Sequence, residues 1–86
     1  MAWDIRITRT AEKQIGRLDQ VTQKRILKFF IRLSQRNPKQ LGKALQGNKA
    51  EFWRYRVGDY RLICTIDDSL AQILVLEVGH RREVYR

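Results

Sequence analysis

From Trp53 to Cys64 the chain alternates bulky apolar residues with polar or cationic ones, and it turns once, at Gly58-Asp59. Period-two alternation puts successive side chains on opposite faces of a strand, so this stretch has one face to bury and one to expose. A glycine in a two-residue loop supplies the positive φ that a tight hairpin needs. With the loop at Gly58-Asp59, Val57 pairs with Tyr60, Tyr55 with Leu62 and Trp53 with Cys64, and all six share the face that reads as core. The other face carries Arg54 and Arg56 on one strand and Arg61 on the next, with Arg56 opposite Arg61. Like charges facing each other across a sheet cost roughly 0.2–1 kcal/mol per pair. A hairpin that keeps such a pair implies an anion that binds there.

A chain of 86 residues has room for a single domain, 1–86, and no second core. Its one cysteine, Cys64, cannot form an internal disulfide and reads as a buried, reduced thiol. The longest apolar runs are too short to span a bilayer, and no signal-peptide pattern is present. A cytoplasmic protein without membrane contact is the expectation. The net charge of +9 and pI near 10.5 point to a polyanionic partner, either nucleic acid or an acidic protein. Charge alone does not choose between them.

Ahead of the hairpin, Trp3 to Thr8 alternates and predicts a first strand with Trp3, Ile5 and Ile7 inward. Thr10 is the expected N-cap of a short helix carrying Ala11, Ile15 and Leu18, and Asp19 caps the next. That second helix runs from Val21 to about Arg36. Ile26, Phe29, Phe30 and Leu33 recur at helical spacing, Leu27 and Ile31 widen the stripe, and Lys24, Arg25, Lys28, Arg32 and Arg36 take the other side. Asn37-Pro38 ends it. Residues 39–49 read as a basic connecting loop. After the hairpin, Asp67-Asp68-Ser69 marks a turn. Gln72 to Val78 is then a third meander strand whose two apolar faces suggest a central position. Simple parity puts Ile73, Val75, Glu77, Gly79 and Arg81 on one face, and Gly79 lets the strand bend before His80. The expected fold is α+β: a small twisted, mainly antiparallel sheet of about four strands, with an N-terminal helical hairpin packed on one face.

Three stretches together, Leu45-Gln46-Gly47, Phe52 to Leu62 and Val78 to Tyr85, resemble the RelE toxins of the RelE/ParE superfamily of toxin–antitoxin modules. The order of strand, helical hairpin and antiparallel meander is similar to that family over essentially the whole chain. The resemblance implies a ribosome-dependent endoribonuclease that cuts mRNA in the ribosomal A site by attack of the ribose 2′-OH on the adjacent phosphorus. It implies no metal or small-molecule cofactor, and a RelB-like antitoxin that wraps the toxin. Matched residue by residue, the family's basic site falls on Arg54, Arg56, Arg61 and Arg81, and its C-terminal tyrosine on Tyr85.

These residue types suit that chemistry. A phosphorane concentrates negative charge, which preorganised guanidinium forks stabilise. Tyr85 can stack on a base and splay the substrate. Where some family members carry lysines, this chain has Arg54 and Arg56, which cannot give up a proton. His80 is therefore the expected proton-transfer residue, with an ordinary pKa of about 6.5. Two other functions remain, the first implied by a resemblance to ParE-like toxins in the helical hairpin and the Tyr60-Arg61 region. One is a ParE-like inhibitor of DNA gyrase without nuclease activity. The other is a non-catalytic basic RNA-binding module, marked by salt-sensitive binding without turnover.

Overall fold

The computed structural model describes residues 2–45 and 52–80. The elements run β1 (Asp4–Ile7), α1 (Arg9–Gly16), α2 (Gln20–Gln35), a 3-10 turn (Pro38–Gln40), β2 (Lys43–Ala44), β3 (Phe52–Val57), β4 (Tyr60–Asp67) and β5 (Gln72–His80). The described strands form one sheet in the order β1-β5-β4-β3-β2. All neighbours are antiparallel except β1 and β5. Among the described residues the sheet thus has five strands, the expected four and one more. The addition is β2, a two-residue edge strand inside the stretch expected to be loop.

The hairpin has the expected register: Val57 faces Tyr60, Arg56 faces Arg61, Tyr55 faces Leu62 and Trp53 faces Cys64. Gly58 takes φ +59° at the first loop position, as a type II′ turn requires. Both helices pack on the face that carries Tyr55, Leu62 and Cys64. Ala11, Ile26, Phe30, Leu33, Ile73, Val75 and Val78 complete this core. Tyr55 is fully buried, with its ring 5.5 Å from that of Phe29. Its hydroxyl donates to the Pro38 carbonyl at 2.7 Å. This bond satisfies a polar group that would otherwise cost about 1–3 kcal/mol if buried alone, and it ties the post-helix turn to β3.

Several local expectations shift. The first helix is capped by Thr8, not Thr10: the Thr8 Oγ1 accepts from the Ala11 amide at 3.1 Å. β1 ends at Ile7 because Thr8 has already turned towards the helix. Asp19 caps α2 as expected, accepting from the Thr22 amide. The buried stripe of α2 is narrower than its sequence suggests, since Leu27 and Ile31 are 54% and 58% exposed. Ile7, expected inward, is 40% exposed at the end of its strand.

The largest departure lies in β5. Ile63 pairs with Glu77 but Cys64 pairs with Val75, so Leu76 is an extra residue on β5. Such a bulge reverses the parity of everything beyond it. Ile73 and Val75 face the helices, and past the bulge Val78 does so too. Glu77 and Gly79 therefore lie on the opposite, open face, contrary to simple parity. The irregularity sits at Leu76, and the strand continues through Gly79 to His80.

The bulge is held from the side where β1 has left the sheet. The Thr8 amide donates to the Val75 carbonyl at 3.0 Å, and the Thr8 hydroxyl donates to the Leu76 carbonyl at 3.0 Å. The Val78 amide donates to Gln14 Oε1 at 2.6 Å. Backbone groups that lose a ladder partner are thus bonded by the cap residue of α1 and by a side chain of the same helix.

Candidate functional site

On the face of the sheet away from the helices, β3 and β4 present Arg54, Arg56 and Arg61. Arg54 stands opposite Ile63 and Arg56 opposite Arg61. Ile63 is only 8% exposed yet lies outside the helix-side core, so it is buried on the arginine face, beside Arg54. The edge strand brings a fourth cation: Lys43 is paired directly with Arg54. One cross-strand row therefore reads Lys43, Arg54, Ile63, Glu77, and the next reads Arg56, Arg61, Gly79.

Arg54, Arg56 and Arg61 line one recess of about 220 Å³ with Lys43, Leu41 and Gly42. Gly42 is required there. A Cβ at this position would run into the Arg54 carbonyl oxygen and would come within 2.6 Å of Tyr55 Cδ1. Only a residue without a side chain lets β2 lie this close to β3, and that approach carries Lys43 to the rim of the recess.

A second recess of about 440 Å³ adjoins the first and shares Leu41 and Arg56 with it. Arg25, Lys28 and Arg32 of α2 line its far side, with Phe29 and Val57. Arg56 sits where the two meet because, among the described residues, β2 pairs only with Trp53 and Arg54, so that ladder stops short of Arg56. The basic side of α2, which composition alone reads as a solvated helix face, is thus continuous with the arginines of the sheet.

His80 lies elsewhere. It pairs with Tyr60, its ring meets that of Tyr60 edge-on at 5.8 Å, and it lines a cleft of about 330 Å³ with Gln14, Arg17 and Leu18 of the helical layer. The extra residue at Leu76 puts His80 on the helix side of the sheet and the arginines on the other. Arg81 and Tyr85, the two remaining expected site residues, lie outside the described residues, as do Gln46 and Gly47.

Lys43 lines this recess, although the sequence places it among loop charges that could touch a phosphate backbone rather than among the expected site residues. Its signal was faint: a lysine after Gly42 in a basic stretch looks like a solvated loop charge. Only the pairing of Lys43 with Arg54 puts it in the site.

Two titratable groups, Tyr55 and Cys64, lie in the core. Burial pushes the Cys64 thiol up to about 12 and raises the Tyr55 hydroxyl well above its ordinary range, with Cys64 adding to that effect. Among the described residues, no group of three or more His, Cys, Asp or Glu side chains is placed to hold a metal ion. No helix there is long and apolar enough to cross a membrane.

The chain as a whole has counterparts among known proteins. The family described as the ParE toxin of the type II toxin–antitoxin system parDE matches residues 5–85. Toxin RelG of Mycobacterium tuberculosis is 31% identical over 86 residues, which cover 100% of this chain and 99% of that protein. Toxin RelE of the same organism is 29% identical over 84 residues, 98% of this chain and 87% of its own. Among solved structures, the RelBE2 toxin–antitoxin complex of M. tuberculosis superimposes with a TM-score of 0.87 at 30% identity, covering 94% of this chain and 100% of that one. The archaeal RelE–RelB complex of Pyrococcus horikoshii shares the fold, with a TM-score of 0.79 at 22% identity over 98% of this chain and 100% of its counterpart.

Proposed function

Because the chain belongs to the RelE/ParE family of toxins of type II toxin–antitoxin systems, we propose that it is a ribosome-dependent endoribonuclease that cuts mRNA in the A site and so stops translation. The observation that carries this reading is the gathering of Arg54, Arg56 and Arg61 in one recess on a sheet face that the helices leave open. Opposed arginines are a cost to the free protein and a gain once a phosphate lies between them.

The reaction is an in-line attack of a ribose 2′-oxygen on the neighbouring phosphorus, with departure of the 5′-oxygen. Charge builds on the two non-bridging oxygens in the transition state. Guanidinium groups already held at the site stabilise that charge without reorganisation, which is the largest contribution such a site can make. Arg54, Arg56 and Arg61 take this role, joined by Arg81, and Tyr85 stacks on a base to hold the nucleotides apart. The recess lies on one face of the sheet and is only partly enclosed. Positioning of the substrate therefore falls to the ribosome, which supplies most of the orientation term.

A cognate antitoxin is the expected protein partner. The solved relatives include a RelBE2 complex and a RelE–RelB complex, and the high positive charge of this chain suits an acidic or amphipathic covering segment.

Primer extension on programmed ribosomes carrying a defined A-site codon tests the reading. Codon-positioned cuts by the wild type, abolished in Arg61→Ala, are expected. Intact mRNA together with inhibited gyrase supercoiling would replace the nuclease with a gyrase inhibitor. Salt-sensitive RNA binding with neither activity would leave a basic binding module.

A further inference from the structure

We propose that Lys43 is the proton donor of this site and delivers its proton to the departing 5′-oxygen. The inference rests on the cleavage reading above and adds the acid that the arginines cannot provide.

Three observations carry it. First, the recess holds three guanidinium groups, Arg54, Arg56 and Arg61, and an arginine stays charged throughout any reaction near neutrality. Charge stabilisation is thus present in excess while proton transfer is unassigned. Second, the histidine is on the other side of the sheet. His80 pairs with Tyr60 and lines a cleft with α1. Third, among the described residues that line the recess, Lys43 is the one that can exchange a proton, since the others are Leu41, Gly42 and the three arginines.

The placement of Lys43 is built into the fold. It lies directly across from Arg54, where paired side chains start roughly 4.5–5.5 Å apart at Cβ and project to the same face. Gly42, packed against Arg54 and Tyr55, sets the approach of the edge strand. Lys43 itself is exposed, so an incoming phosphodiester can reach its ammonium group. Arg54 faces it directly, Arg56 and Arg61 share the recess, and Glu77 ends the same cross-strand row two strands beyond Arg54.

The step balances without any further reactant. The 2′-oxygen forms its bond to phosphorus and its proton passes to water. The bond from phosphorus to the 5′-oxygen breaks, and that oxygen takes a proton from Lys43 Nζ. Solvent then reprotonates the amine. The products are a 2′,3′-cyclic phosphate and a free 5′-hydroxyl.

The test compares wild type, Lys43→Gln, Lys43→Arg and Arg61→Ala under single-turnover conditions on programmed ribosomes. Two mRNAs are used: one with an ordinary scissile linkage, and one with sulfur in place of the bridging 5′-oxygen. A thiolate leaves without protonation, so it bypasses a general acid. Lys43→Gln and Lys43→Arg should cut the ordinary linkage about 10²–10⁴-fold more slowly, the usual weight of a general acid, and should recover towards the wild-type rate on the sulfur linkage. Arg61→Ala should be slow on both. Wild-type cleavage of the ordinary linkage by Lys43→Gln, or an equal loss on both linkages, would overturn the proposal while leaving the nuclease reading intact. Failure of the wild type to cut the ordinary linkage would overturn both.

Discussion

Arg56 and Arg61 are cross-strand partners on β3 and β4, one exposed and one half-buried, and both face the same recess. Two guanidinium groups that face each other across a hairpin repel. Replacing Arg56 with threonine, a good strand residue, should raise stability by up to about 1 kcal/mol at low salt, the scale of a like-charged pair. The gain should shrink as salt screens the repulsion. Cleavage should fall in the same variant. Urea melts at two ionic strengths, run beside the ribosome assay, check the trade. A variant that loses stability at low salt would show that the pair is not repulsive in the folded protein.

Gly42 should tolerate no side chain. Gly42→Ala forces a methyl group against the Arg54 carbonyl and the Tyr55 ring, and overpacking of this kind costs about 1–3 kcal/mol. Relief requires β2 to move away from β3, which carries Lys43 with it. Denaturant midpoint and cleavage rate should therefore drop together. Gly16→Ala is the control: its Cβ would meet nothing within 4 Å, so stability should hold or rise.

Thr8 has two tasks, capping α1 and holding the bulge at the Leu76 carbonyl. Thr8→Val keeps the shape and removes both bonds. A lost N-cap alone costs about 0.5–2 kcal/mol, and the unpaired carbonyl adds to it. Thr10→Val, on the exposed first turn, should cost far less. Equal losses in the two variants would return the cap to Thr10.

Alkaline stability follows from the buried acids. The Cys64 thiol is raised from an ordinary 9.0 to about 12 by burial, and the Tyr55 hydroxyl is raised from 10.0 by burial and by its thiol neighbour. Both folded-state values lie above the unfolded ones, so the unfolded chain binds fewer protons at high pH. Their stabilisation is fully present below about pH 9. It is lost as pH rises towards about 12 for Cys64, and from 10.0 upward for Tyr55. Each group contributes a fall of about 1.4 kcal/mol per pH unit within its window. Urea midpoints of wild type and Cys64→Ala between pH 8 and 10.5 should converge as pH rises, because only the wild type carries the thiol. Parallel curves would show that Cys64 is not buried as a neutral thiol.

The hairpin was legible in the sequence because its signals are local. Alternation over Trp53–Val57 and Tyr60–Cys64, a glycine able to take positive φ, and a period of exactly two leave one register that buries all the apolar residues. Once that register holds, Arg56 must face Arg61 and Arg54 must share their side. The Asp19 cap and the buried positions Ile26, Phe30 and Leu33 were readable for the same reason. Tertiary structure decided what depends on one residue more or less, or on a distant partner. The extra Leu76 in β5 reverses parity past it, moving Val78 and His80 to the helices and Glu77 to the arginine face. No local pattern announces it, because Leu74, Leu76 and Val78 are apolar either way, and the bonds that hold the bulge come from Thr8 and Gln14. Lys43 likewise enters the site only through pairing with Arg54, since a two-residue edge strand is too short to show a period. Local chemistry thus chose the arginines, and long-range pairing chose which proton-bearing side chain stands beside them.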